Sequence, residues 1–149
     1  MTPPTEDVQL VTMYAGGAYF GVPVTRVRDV LAATQIFPAP LAPGSILGSI
    51  NLRGRIVTAI DLRMRLGMTP SDRDASKFVI VERTGGEAYA LLVDEIGDVM
   101  QLPASLYEPN PITLSAKWTR ICRGLYRQDD QMLIVLDIDA LLEIDAAAA

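Results

Sequence analysis

The chain has 149 residues, half of them hydrophobic and 21% charged, with a net charge of −5. That is enough apolar material for one domain or two small lobes, and it excludes a disordered chain. The acidic balance, with only 6% aromatic residues, argues against a surface that tracks nucleic-acid phosphates and stacks bases.

The sequence contains no histidine. That removes the commonest general base and metal ligand, and every Ser-His or Cys-His nucleophile pair. There is no Walker loop, GxGxxG or EF-hand loop. The single cysteine, Cys122, rules out an intrachain disulfide and reads as a buried, inert thiol. The opening MTPPTEDVQ is polar and acidic, unlike a signal peptide, and no apolar run approaches the ~20 residues of a membrane span. The expectation is a cytoplasmic protein without cofactor, metal or direct membrane insertion.

Residues 1–7 form a Pro-containing tail. Val8 to Ala15 alternates as a strand, Gly16-Gly17 makes a tight turn, and Ala18 to Val22 returns until Pro23. Val24 to Leu31 places Val24, Val27, Val30 and Leu31 at helical spacing, which predicts a short amphipathic helix. PAPLAPG at 38–44 is a loop. Ile46 to Ile50 then leads into INLR, a strand-like run that Gly54 breaks. Arg55 to Ile60 is a β-branched strand, Asp61 a helix N-cap, and Gly67 the stop after LRMRL. A polar seam at 68–76 is followed by strands over 77–84 and 87–93 around Gly85-Gly86, and by DEIGDVMQL (94–102). A proline-punctuated loop runs to about 117. Strands at 119–127 and 132–136 flank a turn, Asp137 caps a terminal helical turn, and 144–149 is a tail.

The two halves correspond in order. Gly16-Gly17 is answered by Gly85-Gly86, Asp29-Val30 by Asp98-Val99, and Arg53-Gly54 by Arg123-Gly124, at spacings of 69 to 70. From Ile56 and Met132 onward the spacing is 76, a change expected at a longer second hairpin turn. The reading is a duplication over about 8–67 and 77–143, giving two mostly β lobes of about five strands each. A lobe of ~70 residues is marginal alone, so the two must share a packed interface, and a groove between them is a natural binding site. Arg53 closes an apolar strand, so it must reach water or a carboxylate elsewhere in the chain.

INLRG (50–54), the apolar strand after it, IDLR (60–63) and LG (66–67) resemble the signature of the CheW family of bacterial chemotaxis coupling proteins. YFGVPVTRVRDVL (19–31), FVIVE (78–82), YALLVDEIGDV (89–99) and MLIVLDIDALL (132–142) fall in the family's order. The resemblance spans 8–143 and implies one two-lobed domain, with flexible tails at 1–7 and 144–149. The implied fold is mainly β. It has two five-stranded SH3-like barrels on a shared core, with short helical turns, a short C-terminal helix and room for strands to be exchanged between lobes. The implied function is a non-enzymatic adaptor, recruited to membrane-associated receptor arrays. It would couple the cytoplasmic tip of methyl-accepting chemoreceptors to the regulatory domain of a CheA-like histidine kinase. Carried over by motif, Val27, Asp29, Gly48, Arg53, Gly54 and Val99 border the receptor groove, and Asp29 pairs with Arg53. Asp29 stands where the family more usually has Glu, so its reach is shorter. The alternative is a CheW-type adaptor of a pathway for twitching motility or second-messenger control, and behind it a small-ligand or nucleic-acid-binding barrel. Trp118 is expected to pack on its own barrel, and Asp94, Glu95 and Asp98 to form a solvated edge, with no metal site.

Overall fold

The computed structural model describes residues 6–32, 34–38, 44–70, 76–109, 116–128 and 131–143. The elements are β1 (Val8–Ala15), β2 (Ala18–Pro23), β3 (Val27–Ala32), β4 (Ile46–Leu52), β5 (Arg55–Asp61), α1 (Leu62–Arg65), β6 (Lys77–Glu82) and β7 (Ala88–Val93). They continue with β8 (Glu95–Leu102), β9 (Tyr107–Glu108), α2 (Ala116–Ile121), β10 (Cys122–Gln128), β11 (Gln131–Leu136) and α3 (Ile138–Leu141). The expected tails lie almost wholly outside the described residues.

The strands form two sheets, in the orders β8-β1-β2-β11-β10-β9 and β3-β6-β7-β5-β4. The fold is mainly β, two SH3-like barrels sharing a core. Each sheet mixes the halves of the chain. The hairpin β1–β2 joins β8, β10 and β11, and the hairpin β6–β7 joins β3, β4 and β5. Parallel pairings of β2 with β11 and of β5 with β7 stitch the exchange. Beyond five main strands, each sheet carries one short edge pairing: Glu108 with Leu125 in the first, Phe37 with Ser49 in the second.

Residues 24–31 are not a helix. Val24–Arg26 makes one 3-10 turn and β3 follows, paired along β6 from Val27↔Val81 to Ala32↔Lys77. The apolar spacing misled because a bulge at Arg28 shifts the alternation. Val27 reaches the shared core and Leu31 the interior of the second barrel. β-Branched valines favour the extended state once a partner strand satisfies the backbone.

The spacing of the halves also differs from expectation. β4–β5 and β10–β11 correspond at 76 throughout, since Gly48 and Gly124 both follow bulges and Leu52↔Arg55 matches Gln128↔Gln131. The second hairpin turn is therefore no longer than the first, and Arg53-Gly54 does not correspond to Arg123-Gly124. The extra residues lie upstream of β10, in the stretch where α2 stands.

Three apolar clusters follow from strand alternation. β6 sends Phe78 and Ile80 into the second barrel, and Val79 and Val81 into the shared core. β7 divides Ala90 and Leu92 from Leu91 and Val93 in the same way, and β1 divides Leu10 from Val11, Met13 and Ala15. Both faces of these strands are buried, which is why their sequences read as unbroken apolar runs.

Half-buried ion pairs fasten the corners where the chain passes between sheets. Asp94, between β7 and β8, binds the Arg63 guanidinium of α1 (Nε to Oδ1, 2.9 Å) and accepts the Gly16 N–H (2.9 Å). Burial pushes the Asp94 carboxyl up, but the Arg63 and Gly16 hydrogen bonds and the Arg63 charge outweigh it and hold its pKa below the usual value. A carboxyl depressed in the folded state stabilises the protein above its unfolded pKa of ~3.9, and that contribution is lost as pH falls through the folded pKa. Wild type should therefore lose more urea stability than Asp94→Asn between pH 7 and pH 3. Equal losses would mean the pair carries no pH-dependent stability.

Candidate partner-binding site

The β4–β5 hairpin turns on two residues, Arg53 and Gly54, both with positive φ (50° and 85°), between the paired Leu52 and Arg55. That is the I′ geometry that matches strand twist. Asn51 Oδ1 accepts the Gly54 N–H at 2.9 Å and locks the turn. Gly is free in this conformation, whereas Arg is strained in it.

The turn carries the Arg53 guanidinium to β3, where Nη2 lies 2.8 Å from Asp29 Oδ2. Arg53 is 78% exposed and Asp29 25% exposed. Asp29 Oδ1 accepts the Val30 N–H at 2.8 Å. Oδ2 is shut off from solvent and receives no well-aimed hydrogen bond, so the contact is an ion pair held by distance alone. With one partner this exposed, it is worth at most ~1 kcal/mol.

The pair stands on the rim of a cavity of about 460 Å³ at one end of the second barrel. Leu52, Val57, Ile80 and Ala88 give apolar walls, and Arg28, Arg55 and Glu82 complete the charged rim. Arg28 grips Glu82 with two nitrogens (Nη2 to Oε1, 2.8 Å). That hydrogen bonding draws the Glu82 pKa below its usual value. Two apolar side chains stand in solvent on the same barrel, Ile56 at 73% exposure and Val30 at 44%. Apolar walls inside a rim of paired charges are the anatomy of a protein-docking patch.

The remaining sequence-predicted residues divide. Val27 is half-buried against the shared core. Gly48 is buried at φ 139°, and a Cβ there would lie 2.0 Å from the Phe37 carbonyl oxygen, so the position is set by backbone packing. Val99 is 58% exposed on β8 of the first sheet, beside Val11 of β1, whereas Asp29 stands on β3 of the second sheet and Arg53 in the β4–β5 turn. The pair and its cavity are thus built from the second barrel alone. Sequence reading missed Arg28, Arg55, Glu82 and Ile56. The charge of Glu82 at the end of FVIVE was visible, but its partner was not while 24–31 read as a helix.

Trp118 lies against the shared core with its ring 5.8 Å from that of Phe20. Cys122 is buried, and burial pushes its thiol pKa up. Asp94 is held by Arg63, and the described residues contain no cluster of three metal-ligating side chains. No helix among them is long and apolar enough to cross a membrane.

The family model for the CheW-like domain matches residues 9–146. A probable chemotaxis protein CheW of Rhizobium etli is 32% identical, over 96% of this chain and 93% of its own. The chemotaxis protein CheW of Klebsiella aerogenes is 31% identical, over 89% of this chain and 80% of its own. Among solved structures, the scaffolding protein TtCheW from Thermoanaerobacter tengcongensis superposes with a TM-score of 0.83 at 29% identity, covering 93% of this chain and 94% of that one. A nucleic-acid or small-ligand barrel is not favoured by any of these likenesses. The chain belongs to the CheW-like family of non-enzymatic chemotaxis adaptors.

Proposed function

We propose that this chain couples the cytoplasmic tips of chemoreceptors to the regulatory domain of a CheA-like kinase in a receptor array, with the rim around Asp29 and Arg53 as part of the receptor-facing surface. The observation that carries the reading is Arg53 itself. A non-glycine residue is held at positive φ at a turn tip, its guanidinium exposed, above a cavity with apolar walls. Strain kept at an exposed position is the mark of a side chain retained for a contact outside its own fold. Asp29 orients the cation, and Arg28 with Glu82 fixes the opposite rim.

The test mixes the chain with the kinase regulatory domain on a sizing column with light scattering, then adds receptor-containing membranes and measures kinase activity. A 1:1 complex and receptor-dependent activation are expected. Arg53→Ala should keep the kinase complex and lose the activation. If no complex forms at tens of micromolar with the protein folded, the adaptor assignment to this kinase class fails. If Arg53→Ala activates normally, the site assignment fails.

A further inference from the structure

A second corner repeats the Asp94 fastening with its charges reversed. Between β2 and β3, Arg26 reaches Asp139 of α3 (Nη2 to Oδ2, 3.4 Å) and Thr84 in the β6–β7 turn (Nη2 to Oγ1, 3.0 Å). Asp139 in turn accepts the Thr84 N–H at 2.7 Å. Both fastenings use a corner residue, the helix after a sheet's last hairpin, and the turn of the other hairpin. Arg63 and Asp139 are equivalent, 76 positions apart, and the turns at Gly16 and Gly85 are equivalent, 69 apart. Arg26 sits one residue beyond the equivalent of Asp94.

The signs are sorted by half. Arg26 and Arg63 are both in the first half, and Asp94 and Asp139 are both in the second. A third ion pair between the halves, Arg28 with Glu82, has the same sense. Among the described residues, every ion pair that crosses between halves puts arginine on the first and carboxylate on the second.

The topology gives this sorting a consequence. Each hairpin packs in a sheet supplied largely by the other half, so two first halves from different copies could pair in the same strand order as the native halves. In such a homotypic pairing Arg26 of one copy would face Arg63 of the next. Two second halves would bring Asp94 to Asp139. We propose that these fastenings are a pairing code: they direct the first half onto a second half and reject pairing of either half with its own kind from a second copy. The repelled partner is the homotypic, two-chain form of this fold.

The code can be scrambled without removing the intramolecular pairs. Arg63→Asp with Asp94→Arg keeps both native contacts between opposite charges, but leaves each half with one sign of each, so homotypic contacts also become attractive. Adding Arg26→Asp with Asp139→Arg sorts the signs again, now inverted. Each full-length protein is unfolded in urea, refolded by dilution at ~100 μM, where mispairing competes with folding, and sized by light scattering.

Wild type is expected to refold as a monomer. The two-residue swap should raise the dimer-to-monomer ratio roughly tenfold, and the four-residue inversion should bring it back, although it carries twice as many substitutions. If the two-residue swap refolds as cleanly as wild type, the proposal is overturned. It is overturned equally if the four-residue inversion dimerises as much as the swap, since the cause is then lost stability and not charge pattern.

Discussion

Gly48→Ala is expected to destabilise the protein by about 2–5 kcal/mol, the sum of a strained backbone and an overpacked contact. At φ 139° an L side chain is strained before any neighbour is considered. The new Cβ would also lie 2.0 Å from the Phe37 carbonyl oxygen and 2.9 Å from Pro38 Cα, and both are backbone atoms that no rotamer change can move. The segment at 37 is pinned there by two hydrogen bonds, Phe37 N–H to Ser49 O (2.8 Å) and Ser49 N–H to Phe37 O (2.9 Å). Relief would require giving up that edge pairing and uncovering β4. Gly54→Ala is the control. It also has positive φ, but a Cβ would meet nothing within 4 Å, so only the strain of roughly 1–2 kcal/mol applies. Urea denaturation of the two variants separates the terms. If Gly48→Ala is no worse than Gly54→Ala, the close approach of the 37–38 segment is not a structural requirement. If Gly48→Ala is destabilised as expected, a loss of receptor coupling in it is a folding defect and not evidence that Gly48 touches a partner.

That separation shows what the sequence could carry. The INLRG turn, the N-caps Asp61 and Asp137, the glycine hairpins and the apolar runs are local chemistry, and each stands where the pattern put it. Strand partners are not local. Nothing in VTRVRDVL says that β6 will lie beside it and convert an apparent helical stripe into β3 with a bulge at Arg28. The same blindness hid the Arg28–Glu82 pair, 54 positions apart, and the upstream place where the halves differ in length. It also hid which barrel the candidate site belongs to. Asp29 and Arg53 come together within the second barrel, while Val99, grouped with them by motif, lies on a strand of the other sheet. The Asp29–Arg53 distance itself depended on β3 being extended. In a helix over 24–31, Asp29 would have been placed by a different backbone altogether.

Arg53→Gly should abolish receptor-dependent kinase activation while leaving stability close to wild type, an uncommon combination for a residue in an ion pair. Removing the guanidinium forfeits at most ~1 kcal/mol, because the arginine is 78% exposed and solvent screens the pair from its side. Replacing a non-glycine residue at φ 50° by glycine returns roughly 1 kcal/mol or more of backbone strain. The two nearly cancel. Arg53→Ala loses the same ion pair without relieving the strain, so it should be the less stable of the two by about 1 kcal/mol. Both should lower activation at least ~10-fold, the scale of a single important interface side chain. The pair of variants therefore moves stability apart and function together, which no purely structural role for Arg53 would do. If Arg53→Gly activates the kinase as wild type does, the guanidinium is a tether between the β4–β5 turn and β3. The receptor-facing surface would then have to be sought at the exposed Val30 and Ile56 on the same barrel. If activation tracks stability instead, being retained in Arg53→Gly and reduced in Arg53→Ala, the turn conformation is what the partner needs, and the side chain is incidental.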